Sequence, residues 1–85
     1  MKSIHLSSAA RIDCKPSTKR GRYELALTVK KGTHDDALLE EMFQSREPFQ
    51  FMPAAVFVPL TLESFNIGTE HITYHGETDV DSMLA

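Results

Sequence analysis

Ile4-His5-Leu6-Ser7-Ser8-Ala9-Ala10-Arg11-Ile12-Asp13-Cys14 and Tyr23-Glu24-Leu25-Ala26-Leu27-Thr28-Val29 decide the fold of this 85-residue chain. In the first stretch the apolar phase runs Ile4, Leu6, Ala10, Ile12, Cys14, broken only by Ser8; in the second it is Tyr23, Leu25, Leu27, Val29. A period of two is the period of a strand, and one apolar face with one polar face suits an antiparallel sheet wetted on one side. Between the stretches lies Lys15-Pro16-Ser17-Thr18-Lys19-Arg20-Gly21-Arg22, with the Pro and Gly that turns use and four cations. The pattern predicts a long β-hairpin with a cationic tip. Setting Cys14 opposite Leu25 pairs Ile12 with Leu27, Ala10 with Val29 and Lys15 with Glu24. That register joins opposite charges and keeps the apolar face continuous, whereas its neighbour sets Asp13 against Glu24.

Downstream, Lys30-Lys31-Gly32 ends the second strand and a helix over 34 to 45 follows. Thr33 is its expected N-cap, Asp36 completes a capping box, and Asp35 with Asp36 suits the positive end of the helix dipole. Leu38, Leu39, Met42 and Phe43 share one helical face, read as core, and Pro48 stops the helix. From Phe49 alternation returns: Phe49 and Phe51, then Val56, Val58, Leu60 and Leu62, with Pro53 and Pro59 marking edges, bulges or offsets. A last strand runs from Thr69 to His75, and Gly76 is expected to close it. The expected architecture is α+β in the order β-β-α-β-β: one helix on a small antiparallel sheet, or a partly open β-barrel, of four to five strands. Residues 1–76 form the single domain and 77–85 a flexible acidic tail.

One cysteine excludes an internal disulfide, and no Cys/His cluster has zinc spacing. There is no long apolar run and no signal-like N-terminus, so the chain is expected to be cytoplasmic, with no membrane partner. At 41% hydrophobic and 25% charged it has the composition of a folded domain. The net charge of −3 hides an asymmetry. Residues 1–31 hold eight Lys or Arg against Asp13 and Glu24, a balance of +6; the remainder holds Arg46 against ten acids, −9. Either the halves attract each other within the fold, or the basic part meets an anionic partner.

Catalytic signals are weak. His71 and His75 are four apart, which on a helix would present both to one metal; on a strand it separates them by about 13 Å. Cys14 lies in the apolar phase and reads as a small buried hydrophobe, not a nucleophile. Ser7 and Ser8 lack a nucleophile elbow, and no phosphate-binding glycine loop occurs. The chain is therefore expected to be non-enzymatic and to need no cofactor and no metal.

Binding signals are sharper. Lys15, Lys19, Arg20 and Arg22 at the tip are the expected nucleic-acid contacts, with Tyr23, Phe49, Phe51 and Tyr74 available to stack bases if exposed. Asp79, Asp81, Met83 and Leu84 of the tail are the expected protein-binding residues. In composition the tail resembles the acidic C-terminal tips through which bacterial single-stranded DNA-binding proteins recruit partners. The alternative is a protein-binding module or inhibitor, of the size that phages and mobile elements encode as accessory proteins. It would act through its acidic half or through a sheet edge between Phe49 and Leu62, where a second copy could pair to give a homodimer.

Overall fold

A computed structural model describes residues 2–18, 21–52 and 59–79. The elements are β1 (Lys2–His5), β2 (Arg11–Pro16), β3 (Arg22–Lys30), α1 (His34–Ser45), β4 (Phe49–Met52), β5 (Thr61–Ile67) and β6 (His71–Asp79). The class is α+β. An open antiparallel sheet has the order β2-β3-β6-β5, and β1 pairs with β4 in a separate two-stranded sheet. That second pairing is parallel, Ile4 facing Phe51. Phe49 and Leu60 exchange two backbone hydrogen bonds of 2.9 Å, so β4 meets the chain where it enters β5.

The hairpin register is the one the apolar phase predicts: Ile12 opposite Leu27, Cys14 opposite Leu25, Lys15 opposite Glu24. Its first strand, however, is not continuous. The ladder starts at Arg11, short of the expected Ala10–Val29 pair, because the chain turns at Ser8 and Ala9, with the Ala10 N–H donating to the Ser7 carbonyl at 3.1 Å. Ser7 is also held from outside. Asp35 accepts from its N–H at 2.9 Å and from its hydroxyl at 2.6 Å. A serine pair whose backbone and side chains find partners elsewhere leaves the ladder, and β1 departs to the second sheet.

The helix has the predicted bounds. Thr33 caps it by accepting from the Asp36 N–H, and Arg46 ends it in the left-handed region at φ 58°, its N–H returning to the Met42 carbonyl. Leu39 and Met42 are buried; Leu38 and Phe43 pack partly against the same cluster. The core they join comprises Leu25, Leu27 and Val29 of β3, Ile72 and Tyr74 of β6, Leu60 and Leu62, Phe49 and Phe51, and Ile4 and Leu6. Asp35, expected only to complement the dipole, is itself buried against the Ser7 turn.

Three expectations are corrected. Gly76 does not close the last strand: β6 runs on to Asp79, so residues 77–79, expected to begin the tail, belong to the sheet, and Thr78 is buried. Cys14 is exposed, although it faces the same way as Leu25, because β2 is an edge strand and α1 packs over β3 and β5. Lastly, the segment from Phe49 to Leu62 offers no open edge at its described residues. Phe49, Phe51, Leu60 and Leu62 are buried, and β4 has β1 on one side and Leu60 on the other.

Gly76 is needed for a different reason from strand ending. A Cβ there would stand 2.5 Å from the Thr61 carbonyl oxygen and 2.8 Å from Leu60 Cδ1, beside the register shift between Leu62 and Ser64. The carbonyl belongs to backbone and cannot rotate away. Gly76→Ala is expected to lower the unfolding free energy by about 1–3 kcal/mol, the usual cost of overpacking. Urea unfolding that matches the wild type would show that β5 can move aside.

Candidate functional site

The cationic tip is the first candidate. Lys15 and Arg22 flank it, and the Ser17 N–H donates to the Arg22 carbonyl at 3.0 Å, closing its base. Neither cation stands alone. Lys15 Nζ lies 3.6 Å from Glu24, and Arg22 Nε donates to Glu77 at 2.9 Å, where the carboxylate also accepts from the Ser17 hydroxyl at 3.2 Å. Arg22 is also the backbone partner of Asp79. The acidic end of β6 thus runs beside the basic tip, and together with the Lys2–Glu41 pair at 2.8 Å it joins the basic third of the chain to the acidic remainder. Lys19 and Arg20 lie outside the described residues, as do Asp81, Met83 and Leu84; of Asp79 only the backbone position is described.

The aromatics expected to stack bases are not available for it. Phe49, Phe51 and Tyr74 are buried in the core, and Tyr23 is half-buried against it. They occupy the apolar phases of their strands, and burial of those phases is what holds the sheet to the helix.

The polar face of the large sheet is the second candidate. It carries Glu24, Thr28, Asn66, Thr73, His75 and Glu77, with Glu63 at the register shift. A hollow of about 340 Å³ is lined by Glu24, Glu63, Ser64, Asn66, His75, Gly76 and Glu77. Within it Asn66 Nδ2 meets His75 Nε2 at 3.1 Å, and elsewhere on the same face the Thr28 and Thr73 hydroxyls lie 3.0 Å apart. His71 and His75 sit on one strand as expected. Among the described residues no group of three or more His, Cys, Asp or Glu is placed to hold a metal ion.

A wider hollow of about 390 Å³ opens at the helix N-terminus between His5, Leu6, Ser7, Thr33, His34 and Asp35. It combines serine, histidine and carboxylate, yet the Ser7 hydroxyl donates directly to Asp35. Activation of a serine needs an imidazole in that position. Desolvation raises the Cys14 thiol pKa, the reverse of what activation requires.

The third candidate is an apolar edge that the sequence reading did not single out. Phe65 and Ile67 of β5 are 41% and 65% exposed, the large hydrophobics left in solvent among the described residues. Phe65 packs edge-to-face on Phe43 of α1, centroids 5.1 Å apart, and the Arg46 guanidinium lies over the Phe43 ring, 4.2 Å from its centroid, while donating to the Glu63 carbonyl at 3.3 Å. Ladder phase makes this edge usable. The Gly68 N–H donates to the His71 carbonyl at 2.8 Å, and pairing proceeds Ile67–Ile72, Asn66–Thr73, Phe65–Tyr74. In an antiparallel ladder bonded and non-bonded pairs alternate, so Asn66 bonds to β6 while Phe65 and Ile67 turn their N–H and C=O groups outward. The signal was in the sequence: Phe65 and Ile67 alternate with Asn66 just before Gly68, one residue out of phase with Leu60 and Leu62.

No family model matches the chain, and no curated protein or solved structure is detectably similar to it.

The Asp36–Tyr74 contact fixes how α1 lies over this edge. Asp36 accepts from the Gly32 N–H at 3.0 Å and from the Tyr74 hydroxyl at 2.9 Å. Burial, and then the hydrogen bond and charge of Asp36 with the charge of Glu40, hold the Tyr74 phenol well above its ordinary value. The unfolded chain releases that proton at about pH 10 while the folded chain keeps it. Stability is therefore complete below that pH and falls as pH rises past it. Tyr74→Phe is expected to flatten the alkaline decline of unfolding free energy between about pH 9 and 11; a slope equal to the wild type would place the titrating group elsewhere.

Proposed function

We propose that the chain is a non-enzymatic protein-binding module that works through the outer edge of β5. The observation that carries this reading is the coincidence, at Phe65 and Ile67, of outward backbone donors and acceptors with solvent-exposed apolar side chains. Strand addition uses both: main-chain hydrogen bonds supply affinity, and alternate side chains supply selectivity. A monomer that leaves such an edge open invites pairing, and natural edges are otherwise blunted by charge, proline or a cover. Here the stretch from Thr61 to Ile67 has one charge, Glu63, and no proline. Ile67→Lys is the direct test. It places a charge at a largely exposed position, so the unfolding midpoint should stay near wild type. Protein partners captured by the purified chain should survive nuclease treatment and be lost with Ile67→Lys. Capture that persists in the variant contradicts the reading.

Nucleic-acid association through the hairpin tip is the second reading, supported by the +6 balance of residues 1–31 and by the 76% exposure of the Lys15 side chain. It ranks below the first because Lys15 and Arg22 have carboxylate partners and the expected stacking aromatics are buried. A surface ion pair contributes only about 0.2–1 kcal/mol, so phosphate could compete for Lys15 at low salt. On this reading the double variant Lys19→Ala, Arg20→Ala weakens binding to both single-stranded and duplex DNA, with a reduced salt dependence. Absence of any binding at low salt removes it.

A further inference from the structure

We propose that the occupant of the β5 edge is a second copy of the same chain, paired antiparallel about a two-fold axis through Asn66. This rests on the reading of β5 as the working surface and adds its partner and register. The free part of the edge is short: Leu60 is taken by Phe49, and the Glu63 carbonyl accepts from Arg46. What remains is Phe65 to Ile67, with outward groups on its two end residues. Only one two-fold register satisfies both of those residues with each other. Phe65 of each copy faces Ile67 of the other, and Asn66 faces Asn66.

Each Phe65–Ile67 pair then exchanges two backbone hydrogen bonds, four in all, and the two pairs bring the four exposed apolar side chains together on the helix side of the sheet. Aromatic against β-branched is a favourable cross-strand pair. Beyond Ile67 the chain leaves the strand line, Thr69 and Glu70 turning toward β3, where the Glu70 carbonyl accepts from the Lys31 N–H at 2.9 Å, so no acid of the second copy is brought opposite Glu63. The product is a continuous eight-stranded sheet with both helices on one face. It is isologous and closed, so it stops at two copies. The contact is small, so dimer and monomer exchange with concentration.

The register supplies its own test. Asn66 pairs with Asn66 at a non-hydrogen-bonded position, where Cα atoms lie about 4.5 Å apart, within disulfide range. Two copies of Ser64 would stand about 13 Å apart along the strands, out of that range. In a Cys14→Ser background, mild oxidation of Asn66→Cys should give mostly covalent dimer and Ser64→Cys should stay monomeric. Sedimentation of the unmodified chain should show the mass rising from one copy toward two with concentration, and Ile67→Lys should hold it at one. A strict monomer, or cross-linking equal at both positions, overturns the proposal. If the chain is a strict monomer and Ile67→Lys still abolishes capture of another protein, the edge has a different occupant and the reading of the edge survives; if capture is also unaffected, both fail.

Discussion

Two adjacent carboxylates at the first turn of α1 hold the parts of this molecule in place. Asp35 reaches the Ser7 turn, from which β1 leaves for the second sheet, and Asp36 reaches Gly32 at the end of β3 and Tyr74 in the middle of β6. The helix is thereby tied at one end to both sheets. The bonds from Ser7 and Tyr74 lie in partly buried surroundings and that from Gly32 is exposed; hydrogen bonds to carboxylates contribute about 1.5–3 kcal/mol each when shielded, against a fraction of that for the exposed Lys2–Glu41 pair. In a chain of 85 residues, where the whole stability is on the order of 5–10 kcal/mol, that difference matters.

Anchoring at the N-terminal end also determines what stays uncovered. The helix crosses β3 and β5 and ends at Arg46, whose guanidinium closes over Phe43 and reaches Glu63. Leu62 is fully covered, whereas Phe65 has Phe43 and Tyr74 as its aromatic neighbours among the described residues and Ile67 is more exposed still. On the opposite flank the same limit exposes Cys14 at the β2 edge. The two edges differ in chemistry. β2 carries Arg11, Asp13 and Lys15, charges that discourage pairing, while β5 ends in Phe65-Asn66-Ile67.

What the sequence disclosed was whatever is local. Alternation and one charge pair were enough for the β2–β3 register, and Thr33, Asp36 and Pro48 were enough for the bounds of α1. The failures are all long-range. Nothing near Ile4 says that its partner is Phe51, and Gly76 resembles a strand terminator until Thr61 is seen crossing beside it. Ser8, the one polar residue in the apolar phase of the first stretch, did mark the break between β1 and β2. For the candidate site the contrast is sharper. The tip residues were conspicuous by charge and Lys15 already had Glu24 as its expected partner, but Glu77 beside Arg22 became evident only with the sheet; Phe65 and Ile67 were not singled out because phase does not reveal which strand is an edge.

The proposed function rests on the main-chain groups that the β5–β6 ladder turns outward, the amides of Phe65 and Ile67. Residue-resolved hydrogen exchange at low and high protein concentration measures them directly. In dilute solution both should exchange freely beside a protected Asn66 amide, and both should become protected as concentration rises. Protection of Phe65 and Ile67 already present in the dilute monomer would mean that the chain covers its own edge, and would contradict the account.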